Sequence, residues 1–307
     1  MSNIEAVLAS QPTDLSETAK SVIMSRYSEN TKRAYTAQWR AFVGQVGDRA
    51  AMPADPTTVA NYLAWLAGKG RKMATIKLAL AAIGAAHMEL EQDNPCRSKV
   101  VRDTMMGLSR TLTTAQKQAK ALDGEALRKI KKTACRPRTY VHYVESTDQA
   151  YERGIMDIAL CCTASDSGLR VSELSSLTWS DIFVWEDGGG SVYVGQSKNG
   201  PYGEGDEVAL TADTVRSLMA IRGDCGEDDL VFGLGPQAIS NRIRNAAQHA
   251  GLGDGYSGHS GRVGMAQRMT EAGAPIQAVM RQGRWKSEKM VGRYTRRLNS
   301  RNALDWL

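Results

Sequence analysis

The segment "GHSGRVGMAQRM", residues 258–269, combines two potential cations with a run of small residues. His259 and Arg262 are three residues apart, and side chains at positions i and i+3 of a helix share a face. The segment therefore predicts a helix start that presents an imidazole and a guanidinium in one direction. The small residues around them predict a site left open for another molecule. A histidine that caps its own helix is the alternative interpretation.

The composition describes an ordinary globular protein of 307 residues, long enough for two domains. No apolar run reaches the roughly 18 residues of a membrane span. The amino terminus lacks the basic start and apolar stretch of a secretory signal. We therefore expect no membrane association and a cytoplasmic location.

The cysteine pattern argues against a disulfide framework, because the chain has five cysteines and two of them, Cys161 and Cys162, are adjacent. The CxxC and HExxH spacings of common metal sites do not occur. We expect buried, reduced thiols, no metal site and no cofactor.

The charge distribution is uneven along the chain, with a net charge of +6 and a pI of about 9.0. Lys and Arg outnumber Asp and Glu in 97–138 and 256–307, and the balance reverses in 186–230. Two basic segments indicate a positively charged face and a polyanionic partner. Charge alone fits DNA, RNA or an acidic protein equally well, and chance clustering on a solvated surface is the alternative.

The first third of the chain shows helical patterns. Ser28 and Asp55 are the expected N-caps of two helices, and Pro56 suits a first helical position. The following segment, 113–121, is polar and without apolar periodicity, which is typical of a linker. Apolar spacings of three and four predict helices over 28–46, 55–70 and 72–90, with a shorter basic helix over 97–112.

The remainder is mixed. A buried helix is predicted over 146–165, two strands around a Gly/Asn/Pro turn over 188–211, and helices from 213 onward. The predicted fold class is mainly α. It consists of a helical amino-terminal domain (1–112), the linker (113–121) and a mostly helical carboxyl-terminal domain (122–307) with one small antiparallel β-sheet.

Two further segments carry side chains suited to phosphate chemistry. In "SGLRVSELSSLTW", residues 167–179, Glu173 lies one helical turn after Arg170 and orients a guanidinium that can bind two phosphate oxygens. A common helical ion pair is the alternative. Lys198, in the predicted hairpin turn, is either a solvated charge or an ammonium that can donate a proton where its pKa is lowered.

An indole and a phenol lie in the basic stretch near the carboxyl end. Trp285 in "GRW" offers an N–H to an anion, or fills the core. Tyr294 in "VGRY" is an ordinary surface tyrosine or, among cations, a usable nucleophile. Together with the two arginines and the histidine, these groups suit a phosphodiester, whose pentacovalent transition state requires fixed positive charge.

These segments, taken in order, resemble the tyrosine recombinase family of phage-integrase-like proteins. The helix of "SENTKRAYTAQW", residues 28–39, also resembles the family's amino-terminal core-binding domain, so the resemblance covers most of the chain. It implies a site-specific DNA recombinase that cleaves and rejoins strands through a 3′-phosphotyrosyl intermediate. The reaction is expected within a tetrameric synapse, through a Holliday junction, without metal or ATP.

The resemblance also implies a role for each residue of the reaction itself. Tyr294 would be the nucleophile, and His259 would hydrogen-bond the phosphate and help to take the phenol proton. Lys198 would be the general acid for the departing 5′-hydroxyl.

The other residues would hold the scissile phosphate. Arg170 and Arg262 would clamp its non-bridging oxygens, Trp285 would bind it, and Glu173 would support the site around Arg170. The commoner family pattern has a leucine-arginine pair before the histidine and a second histidine near the carboxyl end. Gly258 and Trp285 occupy those places here.

The expected partner is double-stranded DNA with inverted-repeat half-sites, bound by a homotetramer that is a monomer or weak oligomer when free. A nucleoid-associated location follows from that partner. The last helix, about 300–307, is expected to dock into a neighbouring subunit, with docking on its own subunit as the alternative.

Residues that read or hold the DNA are also predicted. In "PQAISNRIRNAAQHA", residues 236–250, a helix would let Arg242 reach a guanine edge in the major groove, with Arg244 nearby. Further phosphate or groove contacts are expected from Arg33, Arg71, Lys72 and Lys77.

Two other functions fit the same residues. A DNA-binding regulator would use the basic face without chemistry, whereas a type IB topoisomerase or a telomere resolvase would use the same chemistry with a different product.

Overall fold

The computed structural model describes residues 26–112, 118–195 and 205–302, together with the isolated positions 16, 18 and 22. Within them lie thirteen α-helices and one three-stranded antiparallel sheet, so the predicted mainly-α fold class is confirmed. The chain divides into two compact units, Met1–Gln116 and Lys117–Leu307. The division falls within the predicted linker, whose residues 113–117 lie outside the described part, and the exact limits of the domains stay a prediction.

The amino-terminal unit is helical, as the spacing of its apolar residues predicts. Ser28 Oγ accepts a hydrogen bond from the Thr31 N–H at 3.3 Å, and Asp55 Oδ1 accepts one from the Thr57 N–H at 2.7 Å, which confirms both N-caps. Trp39 is among the large side chains buried in its core. The helices are α1 (Glu29–Val46), α2 (Asp48–Ala51), α3 (Pro56–Gly68), α4 (Met73–Glu89) and α5 (Lys99–Thr111), with a short 3-10 turn at Pro95–Arg97 before α5.

The second unit surrounds one long buried helix, α7, which begins with a capping box between Ser146 and Gln149. Its described elements are α6 (Gly124–Thr133), α7 (Thr147–Ser167), α8 (Val171–Ser176), β1 (Ile182–Val184), β2 (Gly190–Val194), β3 (Asp206–Leu210), α9 (Ala212–Arg222), α10 (Pro236–His249), α11 (Ser260–Glu271), α12 (Ile276–Gly283) and α13 (Glu288–Asn302).

The sheet has one strand more than the sequence predicts. β2 pairs with β3, and β1 pairs antiparallel with the other edge of β2, in the order β1-β2-β3. β1 has three residues, too few to show a period-two pattern. The predicted turn between β2 and β3 lies largely outside the described residues, which leave out 196–204.

The small residues of the 258–269 segment allow helices to approach closely. A Cβ atom on Gly261 would lie 2.4 Å from the Ala164 carbonyl oxygen of α7, and one on Gly264 would lie 2.2 Å from the Leu122 carbonyl oxygen. Ser260 and Ala266 are fully buried. The interpretation that these small residues leave room for a ligand is therefore wrong for Gly261 and Gly264, because protein backbone fills the space beside them, whereas Gly258 lines a cavity.

The thiols follow the prediction only in part. Cys161 and Cys162 are buried, and burial raises the pKa of Cys162 to about 11. Cys225 is exposed, so the prediction of a buried thiol is wrong there, because the residue lies in the turn after α9. None of the described helices has the length and apolar character needed to cross a membrane.

Replacing Gly261 with alanine is expected to lower the free energy of unfolding by about 1–3 kcal/mol, because the new methyl group overlaps the backbone of α7. Gly292→Ala is the matched control. It lies on α13 with nothing within 4 Å of the added carbon, and is expected to leave stability unchanged or raise it by about 0.5–1 kcal/mol. Urea denaturation of both variants tests this, and equal midpoints would contradict the close-packing interpretation.

Candidate active site

A cavity of about 750 Å³ in the second unit collects most of the side chains predicted to be catalytic. Residues at the start of α8, on α10 and on α11 form part of its wall, and the segment that follows α12 completes it together with α13. Glu173 lies behind the wall, and Lys198 is outside the described residues. The predicted residues that line the cavity are Arg170, His259, Arg262, Trp285 and Tyr294.

Arg170 and Glu173 form a closed pair at the start of α8. The backbone N–H of Arg170 donates to Glu173 Oε2 at 2.6 Å, and its Nη1 donates to Oε1 at 2.7 Å. The sequence suggested either a common helical ion pair or an oriented guanidinium. The structure has an ion pair that itself orients the Arg170 guanidinium. Burial alone would raise the pKa of Glu173, but hydrogen bonds from Arg284 and from the Arg170 backbone hold it below its ordinary value. The carboxylate stays charged and fixes the guanidinium.

Arg262 is deeply enclosed, with 3% of the residue exposed. Its Nη1 donates to the Gly168 carbonyl oxygen at 2.6 Å, and its Nη2 donates to the Gly283 carbonyl oxygen at 2.7 Å. These carbonyls terminate α7 and α12, where helix dipoles place partial negative charge. Burial, followed by the charge of Arg170, lowers the pKa of Arg262 to about 10, so the group remains a cation at neutral pH.

His259 occupies the N-cap position of α11, but its side chain makes no capping hydrogen bond, so the alternative of a capping histidine does not hold. The imidazole centroid lies 5.2 Å from the Tyr294 ring centroid. The residue is open to the cavity, yet partial burial of the ring lowers its pKa, and so does the nearby Arg262 guanidinium. A lowered pKa keeps the imidazole neutral at pH 7, in the form that accepts a proton.

Tyr294 lies on α13 and stacks against Trp285, with ring centroids 4.8 Å apart and an angle of 15° between the planes. The Arg262 Cζ atom is 5.2 Å from the Trp285 ring centre, a cation–π contact. The Trp285 Nε1–H is buried without a hydrogen-bond partner among the described residues. Trp285 is thus both a core residue and part of the cavity lining.

Three residues at the site were not predicted from the sequence. The Tyr294 carbonyl oxygen accepts hydrogen bonds from Gln118 Nε2 and Gln267 Nε2, both at 3.2 Å. Gln118 belongs to the polar segment predicted as linker, where nothing in the local pattern marks it. Arg284 lines the cavity and donates to Glu173. Its position next to Trp285 in "GRW" is the one sequence signal that points to it.

Neither Arg242 nor Arg244, both predicted to read DNA, is among the described residues that line the cavity. On α10, Arg242 Nε donates to the buried Asp157 carboxylate at 2.6 Å, and Arg244 Nη1 donates to Asn241 Oδ1 at 3.0 Å. A guanidinium has five N–H donors, so Arg242 can keep this ion pair while it donates to a base, and guanine reading by Arg242 stays a prediction. The predicted DNA contacts of the first unit are exposed: Arg33, Arg71, Lys72 and Lys77.

Comparison with known protein families shows which family the chain belongs to. A profile of the Phage integrase family matches residues 138–301, more than half of the chain, and a profile of the phage integrase N-terminal SAM-like domain matches residues 22–94. The chain belongs to the phage integrase family and is a tyrosine recombinase. Members of this family are site-specific recombinases, so the chain is an enzyme of that class.

Individual relatives resemble the chain over most of its length. The integrase/recombinase XerD homolog of Selenomonas ruminantium is 26% identical over 305 residues, covering 91% of this chain and 85% of that protein. Recombinase cre of Escherichia phage P1 is 23% identical over 303 residues, covering 89% and 86%. The structure of XerH site-specific recombinase bound to palindromic difH substrate, a post-cleavage complex, shares the fold. Its TM-score is 0.62 at 17% identity, covering 94% of this chain and 83% of that one.

The Arg262→Met variant is expected to lose about 2–4 kcal/mol of stability in the absence of DNA, because two buried carbonyl groups lose their donor. Arg170→Met should cost less than about 1 kcal/mol, since that side chain is 32% exposed and Glu173 keeps Arg284 as a partner. Guanidinium chloride denaturation measures both. Similar losses in the two variants would show that the carbonyl bridge contributes little.

Proposed function

We propose that the chain is a site-specific DNA recombinase that cleaves and rejoins strands through a 3′-phosphotyrosyl intermediate on Tyr294. The observation that carries this proposal is the convergence of that phenol with Arg170, Arg262 and His259 on one cavity, from separate parts of the chain. Fixed cations around a phenol provide the charge and the nucleophile that phosphodiester transfer requires.

In the proposed reaction, Tyr294 Oη bonds to the scissile phosphorus while the bond from phosphorus to the 5′ oxygen breaks. The phenol proton passes to the neutral imidazole of His259, and the departing 5′ oxygen takes a proton from Lys198. The product is a phosphodiester of tyrosine, so the bond energy is kept. Attack by a 5′-hydroxyl on this ester reverses each step, and rejoining needs neither ATP nor a metal.

Arg170 and Arg262 would bind the non-bridging oxygens, where negative charge increases in the transition state. Both guanidinium groups are held in place before substrate arrives, one by Glu173 and the other by two carbonyl groups. Little reorganisation is therefore needed during the reaction. The unpartnered Trp285 Nε1–H is a further donor for a phosphate oxygen.

The proposed assembly is a homotetramer on double-stranded DNA with inverted-repeat half-sites, exchanging strands through a Holliday junction. Support comes from family membership and from XerH, which was solved on a palindromic substrate. Residues 1–112 would be the core-binding domain and 122–307 the catalytic domain. The cations Arg33, Arg71, Lys72 and Lys77, with Arg242 and Arg244, would contact DNA, and the protein would be nucleoid-associated in the cytoplasm.

A nicked suicide substrate is expected to trap a covalent protein–DNA adduct with the wild-type protein and none with Tyr294→Phe. The variant retains the ring that stacks on Trp285, so its DNA affinity should stay within about threefold. The target site is obtained by enriching random-sequence duplexes on the Tyr294→Phe protein, and denaturing gels detect the adduct.

An adduct that persists in Tyr294→Phe would contradict the assignment of the nucleophile. Complete absence of adduct with the wild-type protein would favour a DNA-binding regulator. A supercoiled plasmid carrying two sites then separates recombination from the other outcomes: relaxation alone indicates a topoisomerase, and hairpin ends indicate a telomere resolvase.

The rate of adduct formation should rise with pH through the pKa of His259, because the neutral imidazole accepts the phenol proton. That pKa is lowered from 6.5, so the rate should be level near pH 7 and fall about tenfold per unit at pH values below the pKa. His259→Gln should be slower overall and lose this acidic limb. Single-turnover rates from pH 5 to 8 test this, and a wild-type rate that increases on acidification would refute it.

A further inference from the structure

Arg284 has an unusual backbone position for a long cationic residue. It follows α12 with φ of 53°, in the left-handed region where helix ends favour glycine. Its side chain is nevertheless 3% exposed. The chain thus accepts a disfavoured backbone conformation and directs a charged side chain inward, a combination that is found where a side chain serves a site.

The contacts of Arg284 connect it to the proposed phosphate-binding residues. Its Nη2 donates to Glu173 Oε2, the same oxygen that accepts from the Arg170 backbone N–H. Glu173 Oε1 accepts from Arg170 Nη1 at 2.7 Å. One carboxylate is therefore shared by two guanidinium groups and balances the charge of only one.

The remaining donors of Arg284 are unpaired. Its Nε and Nη1 atoms are buried and have no hydrogen-bond partner among the described residues. The residue lines the cavity, and none of the described residues that line it is a carboxylate. A buried cation without full compensation is unfavourable until an anion approaches. Arg284, like Arg170 and Arg262, therefore favours an anion in the cavity.

We infer that Arg284 is a third arginine of the phosphate site. It positions Arg170 by holding Glu173, and its charge stabilises the transition state. This inference rests on the proposed function. Three guanidinium groups share one carboxylate here, and Lys286 also lines the cavity, so the described site carries an excess of positive charge. A phosphodiester attacked by a phenolate carries two negative charges, which this excess stabilises.

The test uses the suicide substrate with either a normal phosphate or a neutral methylphosphonate at the cleavage position. Arg284→Gly suits the left-handed backbone and is expected to slow adduct formation on the phosphate substrate by about tenfold or more. On the methylphosphonate, which has one negative charge fewer, the loss should shrink to less than about threefold. Arg281→Gly, an exposed arginine on α12, controls for the loss of a surface charge.

Arg284→Lys keeps the charge and should retain more activity than Arg284→Gly; thermal melts of both identify any loss of folding. Three outcomes would overturn the inference: equal losses on the two substrates, a lysine variant no better than glycine, or Arg284→Gly as active as Arg281→Gly. Failure of the proposed function would look different, since the wild-type protein would then form no adduct with the phosphate substrate.

Discussion

The hydrogen bonds of Arg262 to the Gly168 and Gly283 carbonyl oxygens hold the active site together. The first carbonyl ends α7, two residues before Arg170, and the second ends α12, immediately before Arg284 and Trp285. Both helix ends are thereby placed around one guanidinium. The positions of Arg170, Arg284 and Trp285, three of the proposed phosphate-site residues, depend on this bridge, because each follows one of the bridged carbonyls within two residues.

The carbonyl partners of Arg262 also preserve the positive charge of the site. A carboxylate could hold Arg262 as firmly, but it would cancel the charge that a phosphate needs. Helix-terminal carbonyls supply only partial negative charge, so they orient the guanidinium and leave it a cation. Glu173 is a full negative charge, but it is shared by Arg170 and Arg284. It therefore fixes two guanidinium groups and neutralises only one positive charge. The described site thus keeps its geometry and its positive potential together.

Whether a feature could be predicted from the sequence depends on how far apart in the sequence the interacting residues lie. Helix starts at Ser28 and Asp55 are set by neighbouring residues, so the local pattern finds them. Side chains with a proposed chemical role, such as Tyr294, could be predicted because the reaction restricts the residue types, and their roles stay predictions. Gln118 was missed, because its role appears only when distant segments meet. Gly261 was misread for the same reason, since the backbone it approaches belongs to α7.

The proposed site is built from the second unit. Every described residue that lines the cavity belongs to Lys117–Leu307. The helix α13, which carries the proposed nucleophile, is held through the Tyr294 carbonyl by Gln267 of α11 and by Gln118, the first described residue after 113–117. Both donors are neutral amides, which position the helix without altering the charge of the site. Gln118 directly follows residues 113–117, where the sequence passes from the first unit to the second. A residue next to this connection therefore helps to position α13, which carries the proposed nucleophile.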